Sequence, residues 1–170
     1  MMQIRSQMRN QIISTNMQAF LTMIAVSEIG EGLLRISDNG YNVLVGSTAN
    51  HPMLFASYDD HPRRLITLKL GDKEWHSTAA GRYQLLARYF DHYSQLLHLN
   101  DFSPASQDEI ALQQIREKGA LADIEAGRCD AAIKKVRSLW ASLPGAGYGQ
   151  PENSLDSLQQ AFVRAGGQAI

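Results

Sequence analysis

Phe20-Leu21-Thr22-Met23-Ile24-Ala25-Val26-Ser27-Glu28 is a short apolar run that ends on a carboxylate. Traced back to Met17 it has helical spacing. Met17, Phe20, Leu21 and Ile24 recur at three- and four-residue intervals, which predicts a helix over residues 17–28 with those four as its buried stripe. Glu28 follows Leu21 by seven residues and Ile24 by four, so it shares the apolar face and stands at the C-terminal end. Both conditions disfavour the anion, because burial removes water and a helix C-terminus presents partial negative charge. A carboxyl held protonated near neutral pH is what a general acid requires. The other reading of the same residue is a helix-end glutamate turned out to solvent, the usual position for this residue type.

Beyond this helix the chain changes character. Tyr41-Asn42-Val43-Leu44-Val45 and Arg64-Leu65-Ile66-Thr67-Leu68 alternate as strands do, with Met53-Leu54-Phe55 as a third candidate. Gly40, Gly46, Pro52, Pro62 and Gly71 punctuate them. From Gly81 onward the pattern is helical, with Tyr83, Leu86, Phe90 and Leu97 on one face of the first helix. The next helix has two starts open to it: Ser103 as cap with Pro104 at the first helical position, or a capping box of Ser106 and Glu109. Ile110, Ala111 and Ile115 face its core, and Gly119 suits its end. Asp130 can cap a further helix carrying Ile133, Val136 and Trp140, which Pro144 stops, and a last helix is expected over 154–165. One small antiparallel sheet among many helices is an α+β domain.

The chain of 170 residues fits one domain, 1–170, large enough for a core without metals or staples, with residues 1–14 read as a loosely attached arm. A hydrophobic content of 44% and a charged content of 19% are ordinary globular values. A net charge of −1 argues against nucleic acid as a partner, which calls for a basic face. Cys129 is alone, so no internal disulfide forms and it reads as a packing residue. Arg5 and Arg9 ahead of the apolar stretch 19–26 loosely imitate a secretory signal. That stretch is short, is broken by Thr22, and follows the polar Ser14-Thr15-Asn16; cleavage after Ser27 would remove the helix that positions Glu28. Neither a cleaved signal nor a membrane span is expected. Methionines at 1, 2, 8 and 17 leave the start open.

Two segments bear directly on Glu28. In Ala80-Gly81-Arg82-Tyr83-Gln84-Leu85-Leu86 a glycine opens an apolar-periodic run, and Trp140-Ala141-Ser142-Leu143-Pro144-Gly145-Ala146-Gly147-Tyr148-Gly149-Gln150 is a glycine-rich loop with one aromatic at its tip. With Ser27-Glu28 and in this order they resemble the lysozyme-like lytic transglycosylases of tailed phages, the lambda endolysin family. The resemblance runs over 19–167 and takes in Tyr58-Asp59-Asp60-His61-Pro62-Arg63, Asp101-Phe102-Ser103-Pro104 and Ala111-Leu112-Gln113-Gln114-Ile115. It implies a lysozyme-like fold, mostly helical, with the substrate cleft between a small sheet lobe and a helical lobe.

The resemblance also implies a reaction. A single glutamate, matched here by Glu28, protonates the oxygen between N-acetylmuramic acid and N-acetylglucosamine. The muramic 6-hydroxyl then attacks its own anomeric carbon, leaving a 1,6-anhydro end and consuming no water. An intramolecular nucleophile has a high effective concentration, which helps it outcompete water. Residues matching Gln84 and Tyr148 line the cleft in this family. An amide both donates to and accepts from acetamido and hydroxyl groups, and a tyrosine brings a ring and a hydroxyl. The competing readings are a solvated Gln84 and a core-packed Tyr148. Relatives carry Gly-Tyr-Asp where this chain has Gly40-Tyr41-Asn42; Asn42 is kept as a substrate-binding candidate, though an amide supplies no negative charge.

Three expectations for the working protein follow from the resemblance. It needs no metal or cofactor, it acts as a monomer on peptidoglycan glycan strands, and it stays in the host cytoplasm until a holin-type pore lets it reach the wall. A hydrolysing lysozyme on the same fold and a catalytically weakened peptidoglycan-binding module are the alternatives. Other constellations are discounted. Asp59, Asp60 and His61 lack a second histidine at ligand spacing. Glu31, among glycines just past the helix, reads as a solvated competitor for the acid's role. Arg63 and Arg64 read as a solvated strand edge, or as partners for peptide-stem carboxylates. Ser77 and Thr78 read as caps for the helix at Gly81, with no histidine spaced to activate them.

Overall fold

The computed structural model describes residues 13–170, so most of the expected N-terminal arm lies outside the described residues. Helix α1, Thr15–Ile29, is capped by Ser14, whose hydroxyl accepts the Met17 N–H at 3.1 Å. It is not an amphipathic surface helix. Met17, Ala19, Phe20, Leu21, Met23, Ile24 and Ala25 are all buried, on every side, as befits a helix at the centre of a core rather than at its edge. The expected stripe of four was therefore too narrow. Around α1 pack α2 (Glu31–Ile36), α5 (Leu121–Glu125) and α7 (Leu155–Arg164). Trp140, Leu143, Ile133 and Phe162 complete this main core. Emptying a site such as Phe20 would cost about 3–5 kcal/mol.

The sheet is a single hairpin, β1 (Ile66–Leu70) with β2 (Lys73–Ser77), paired antiparallel so that Leu68 faces Trp75. The expected strand at 64–68 is thus shifted by two residues, and its partner is the polar run Lys73-Glu74-Trp75-His76-Ser77. Gly71-Asp72 forms the two-residue turn that closes it. Tyr41-Asn42-Val43-Leu44-Val45 and Met53-Leu54-Phe55 are not strands. They meet through one isolated bridge, Val43 with Leu54, while Leu44 bridges Ala80 of the 80–85 turn. Their alternation reports something else: Leu44 and Phe55 turn into a second core with Leu85, Phe90, Phe102 and Ile110.

Helix α3, Ala87–Leu97, starts six residues after Gly81. Residues 80–85 instead form a tight turn closed by reciprocal bonds between Ala80 and Leu85. Thr78 caps the true start, its hydroxyl accepting the Ala87 N–H at 3.0 Å. Helix α4, Pro104–Glu117, uses the Ser103-Pro104 start, with Ile110, Ala111 and Ile115 buried. Helix α6, Cys129–Val136, is capped without a side chain; Asp130 lies inside its first turn and accepts from Gln159 of α7. The last helix, α7, runs one residue shorter at each end than the expected 154–165, with Ser154 as its cap. Cys129 is buried against Met23, 3.8 Å between sulfurs. Among the described residues no helix is long and apolar enough to cross a membrane.

Candidate active site

Helix α1 ends where the two cores part. There a cleft of about 770 Å³ opens, with Glu28 in its wall. The backbone at Val43, Leu44 and Gly46, the hairpin residues Leu68 and Trp75, and Gln84 line one side. Ser142, Tyr148, Glu152 and Asn153 line the other. Burial pushes the Glu28 carboxyl up to about 7 from its ordinary 4.5, and a hydrogen bond from the Ser142 hydroxyl pulls part of the way back. At neutral pH the group therefore holds its proton about half the time, which suits both giving and taking one. Ser142 is one link of a chain. Its hydroxyl meets that of Ser27 at 2.8 Å, and Asn153 Nδ2 donates to Ser27 Oγ at 3.0 Å.

Gln84 sits in the turn between Ala80 and Leu85 with φ of 48°, a conformation few non-glycine residues adopt. Its Nε2 donates to Gly81 O at 2.9 Å and to Val43 O at 3.4 Å, which fixes the amide. Its oxygen is left as the group offered to a ligand. The turn is anchored from below: buried Gln107 accepts the Arg82 N–H at 2.9 Å, and Trp140 Nε1 donates to Tyr83 O at 3.1 Å. Buried Arg82 reaches Thr22 and Asn39 O and lies over the Tyr41 ring, while Tyr41 and Tyr83 both donate to Asp108. These residues tie the turn to α1 and α4. No sequence pattern marked them, because each is long-range.

Tyr148 is 57% exposed, which removes the reading of a core aromatic. It lines the cleft, and its hydroxyl donates to Ser138 O at 2.7 Å, so the hydroxyl hydrogen is already engaged within the protein. The loop that carries it is held by Glu152, whose two carboxylate oxygens accept the N–H groups of Gly145 (2.8 Å) and Gly147 (2.9 Å). Those bonds keep the Glu152 carboxyl below its ordinary range. Glu152 went unmarked in the sequence.

Asn42 is not among the residues lining the cleft. Its Oδ1 accepts the Asp38 N–H at 2.9 Å, and its carbonyl accepts from Phe55, so it closes a turn behind the cleft wall. The expected substrate-binding position at Asn42 is thus not brought into the lining with Glu28, Gln84 and Tyr148. Asn42→Asp is expected to keep the same bond and leave the pH–rate profile where it is. A profile displaced to higher pH would return position 42 to the site. Glu31, in the first turn of α2, pairs with Arg164 of α7 at 3.0 Å on the surface. Arg63 is no strand edge: it bridges Asp60 (2.8 Å) and Asp91 (2.6 Å). His61 is buried, with Nε2 against Leu85 O at 2.8 Å and Nδ1 accepting the Arg63 N–H, so both ring nitrogens are engaged in the fold.

This arrangement has close counterparts. The Endolysin family model matches residues 18–169. The endolysin of Escherichia phage lambda is 49% identical over 156 residues, covering 91% of this chain and 94% of that protein. The endolysin of Escherichia phage P2 is 47% identical over 157 residues, covering 89% and 93%. The structure of bacteriophage lambda lysozyme complexed with a chitohexasaccharide superposes with a TM-score of 0.84 at 48% identity, over 93% of this chain and 98% of that one. A second structure of lysozyme from bacteriophage lambda gives 0.79 over the same shares.

Proposed function

This chain belongs to the endolysin family, and we propose that it cuts peptidoglycan between N-acetylmuramic acid and N-acetylglucosamine by lytic transglycosylation, with Glu28 as both acid and base. The observation that carries this reading is the placing of Glu28 in the cleft wall, half-buried and hydrogen-bonded by Ser142, with no second free carboxylate among the described residues that line the cleft. Among the described residues lining the cleft the only other carboxylate is Glu152, and both its oxygens are bound to backbone N–H groups. A retaining or inverting hydrolase needs a second carboxylate to attack carbon or to activate water. An intramolecular hydroxyl needs only a base to take its proton, and the Glu28 carboxylate left by the first step is that base. The lambda lysozyme bound to a chitohexasaccharide supports a glycan in this cleft.

Mass spectrometry of digested peptidoglycan tests the reaction. Anhydro ends are the expected product; new reducing ends would replace the proposal with a hydrolysing lysozyme, and intact strands would leave a binding module. Activity is expected to decline as pH rises through about 7, since the form that starts the reaction is the protonated one. The reading extends to dependence on a separate holin-type pore for access to the wall.

Tyr148 and Gln84 are proposed to hold the sugar. Tyr148→Ala is expected to lower kcat/KM by about ten- to a hundredfold, roughly 1–3 kcal/mol of lost contact with the apolar face of a sugar ring. Its melting temperature should barely move, because the ring is largely exposed. Tyr148→Phe, which loses only the Ser138 bond, should do less. Gln84→Ala should cost both activity and stability, since its amide also ties Gly81 to Val43. A Tyr148→Ala enzyme with full activity would remove the ring from the site.

A further inference from the structure

The polar chain behind Glu28 has a direction. Asn153 Nδ2 lies 3.0 Å from Ser27 Oγ, 3.2 Å from Ser27 O and 3.4 Å from Ser142 O. Two of those atoms are carbonyl oxygens, which only accept, so the amide must turn its NH₂ toward all three; the flipped amide would set oxygen against oxygen. Ser27 Oγ therefore accepts from Asn153. Between Ser27 Oγ and Ser142 Oγ, 2.8 Å apart, either hydroxyl could be the donor. If Ser142 gave its hydrogen to Ser27, Ser27 Oγ would accept twice and its own hydrogen would have no partner in the chain. If Ser27 gives its hydrogen to Ser142, the Ser142 hydrogen goes to Glu28 Oε1 and every hydroxyl both gives and accepts once.

We propose that Asn153, Ser27 and Ser142 are positioning residues, a one-way chain of donors ending on Glu28 Oε1 that keeps the working proton on Oε2. The inference rests on the reading of Glu28 as the acid–base. If the chain ran the other way, protonated Glu28 would donate from Oε1 to Ser142, and its proton would be spent on the protein. With the chain as drawn, Oε1 accepts throughout the cycle. Oε2 gives its proton to the bridging oxygen as the glycosidic bond breaks, then takes one from the 6-hydroxyl as the new C–O bond forms. Ser142 also stabilises the carboxylate in between.

Among the described residues no charged side chain bonds to Glu28, and Arg88 and Lys118, which also line the cleft, form no hydrogen bond or ion pair with it. Glu28 is the one ionisable side chain on α1. On the segment across from it, Glu152 is held by Gly145 and Gly147, and the Arg137 guanidinium lies against Gly145. On the Gln84 side Arg82 is turned to Thr22 and Asn39 O, and on α2 Glu31 is paired with Arg164. The Glu28 carboxyl responds to burial and to Ser142 alone.

The test is a carbon-13 NMR titration of the Glu28 side-chain carboxyl in the full chain, alongside kcat/KM against pH on purified peptidoglycan. Ser142→Ala is expected to raise the titration midpoint by about one pH unit or more, because a hydrogen bond to the anion is lost. The basic limb of the rate profile should follow it. Ser142→Thr, which keeps a hydroxyl, should restore both. Ser27→Ala and Asn153→Ala leave Ser142 able to turn either way. They are expected to lower kcat about tenfold with KM unchanged, and to raise the midpoint by less than Ser142→Ala does. Asn153 also braces two carbonyls, so Ser27→Ala serves if that variant folds poorly. An unmoved midpoint in Ser142→Ala overturns the proposal. So does a Ser27→Ala enzyme with wild-type midpoint and kcat, which would leave a single Ser142 bond and no chain. The titration reads the carboxyl in the resting protein, so it stands apart from whether Glu28→Gln is inactive, the outcome that decides the acid itself.

Discussion

Glu28→Gln is expected to lose turnover by about 10²–10⁴-fold or more while gaining stability above neutral pH. The amide keeps an oxygen for Ser142 to donate to, so the cleft wall should be unchanged, but it cannot give and retake a proton. The gain in stability follows from the same burial that makes the acid. The folded carboxyl titrates at about 7 and the unfolded one near 4.5, so the folded chain binds this proton more tightly. The stability this provides is full below 4.5 and is lost as pH rises through about 7. By pH 8 the anion is buried at a cost on the order of 3 kcal/mol. A neutral glutamine avoids that, so the variant should melt higher than wild type by roughly 5–10 °C at pH 8 and by little at pH 4. Calorimetry at the two pH values and a turbidity assay check both halves. Glu31→Gln, altering a surface pair with Arg164, should leave activity intact. If Glu31→Gln were the dead variant, or if Glu28→Gln melted like wild type at pH 8, the acid would have been misplaced.

Gly81→Ala is expected to be the more damaging change to the fold. Gly81 has φ of +81°, where a Cβ is strained, and that Cβ would overlap Gln107 Oε1, with Gln107 Cδ at 2.8 Å and the Phe102 ring at 3.0 Å. Gln107 cannot step aside. It is 3% exposed, its oxygen accepts from Arg82 N, and its nitrogen donates to Tyr41 O (3.0 Å) and Phe102 O (2.9 Å). Strain and a broken buried network together should cost about 3–5 kcal/mol, or roughly 10–15 °C in melting temperature. Activity should fall as well at temperatures where the variant is folded, because Gln84 hangs on the same turn. Gln107→Ala clears the overlap, so the double variant should be markedly less unstable than the sum of the single ones. Strict additivity, or a Gly81→Ala protein within about 1 kcal/mol of wild type, would mean the turn yields more easily than its bonds imply.

The stretch from Phe20 to Glu28 was legible because its information is local. Helical spacing and a carboxylate at the last turn are properties of a dozen neighbouring residues, and they placed α1 and set Glu28 at its C-terminal turn. The same holds for the Ser103-Pro104 start and for the last helix, placed to within a residue at each end, since a cap binds an N–H three residues away. Boundaries failed where a distant partner decides them. The 80–85 segment has helical periodicity but is held as a turn by Gln107 and Trp140. Residues 41–45 alternate like a strand, yet they pair with Leu54 and Ala80 only through single bridges, so the alternation serves a core contact rather than a ladder.

The sequence by itself determined the α+β class, the position of α1, the carboxylate in its last turn and the resemblance to the lambda endolysin family. All of these rest on spacing along one element or on order along the chain. Only the tertiary structure decided that Asn42 lies outside the cleft lining and that Ser138 engages the Tyr148 hydroxyl. It alone brought Ser142 and Asn153, more than a hundred residues downstream, against Ser27 and Glu28. Hydrogen-bond direction depends on which donors and acceptors meet in space, and burial on what packs from outside the element. Neither is written in any window of neighbouring residues, so Glu28 could be picked out in the sequence, while the polar side chains behind it could not.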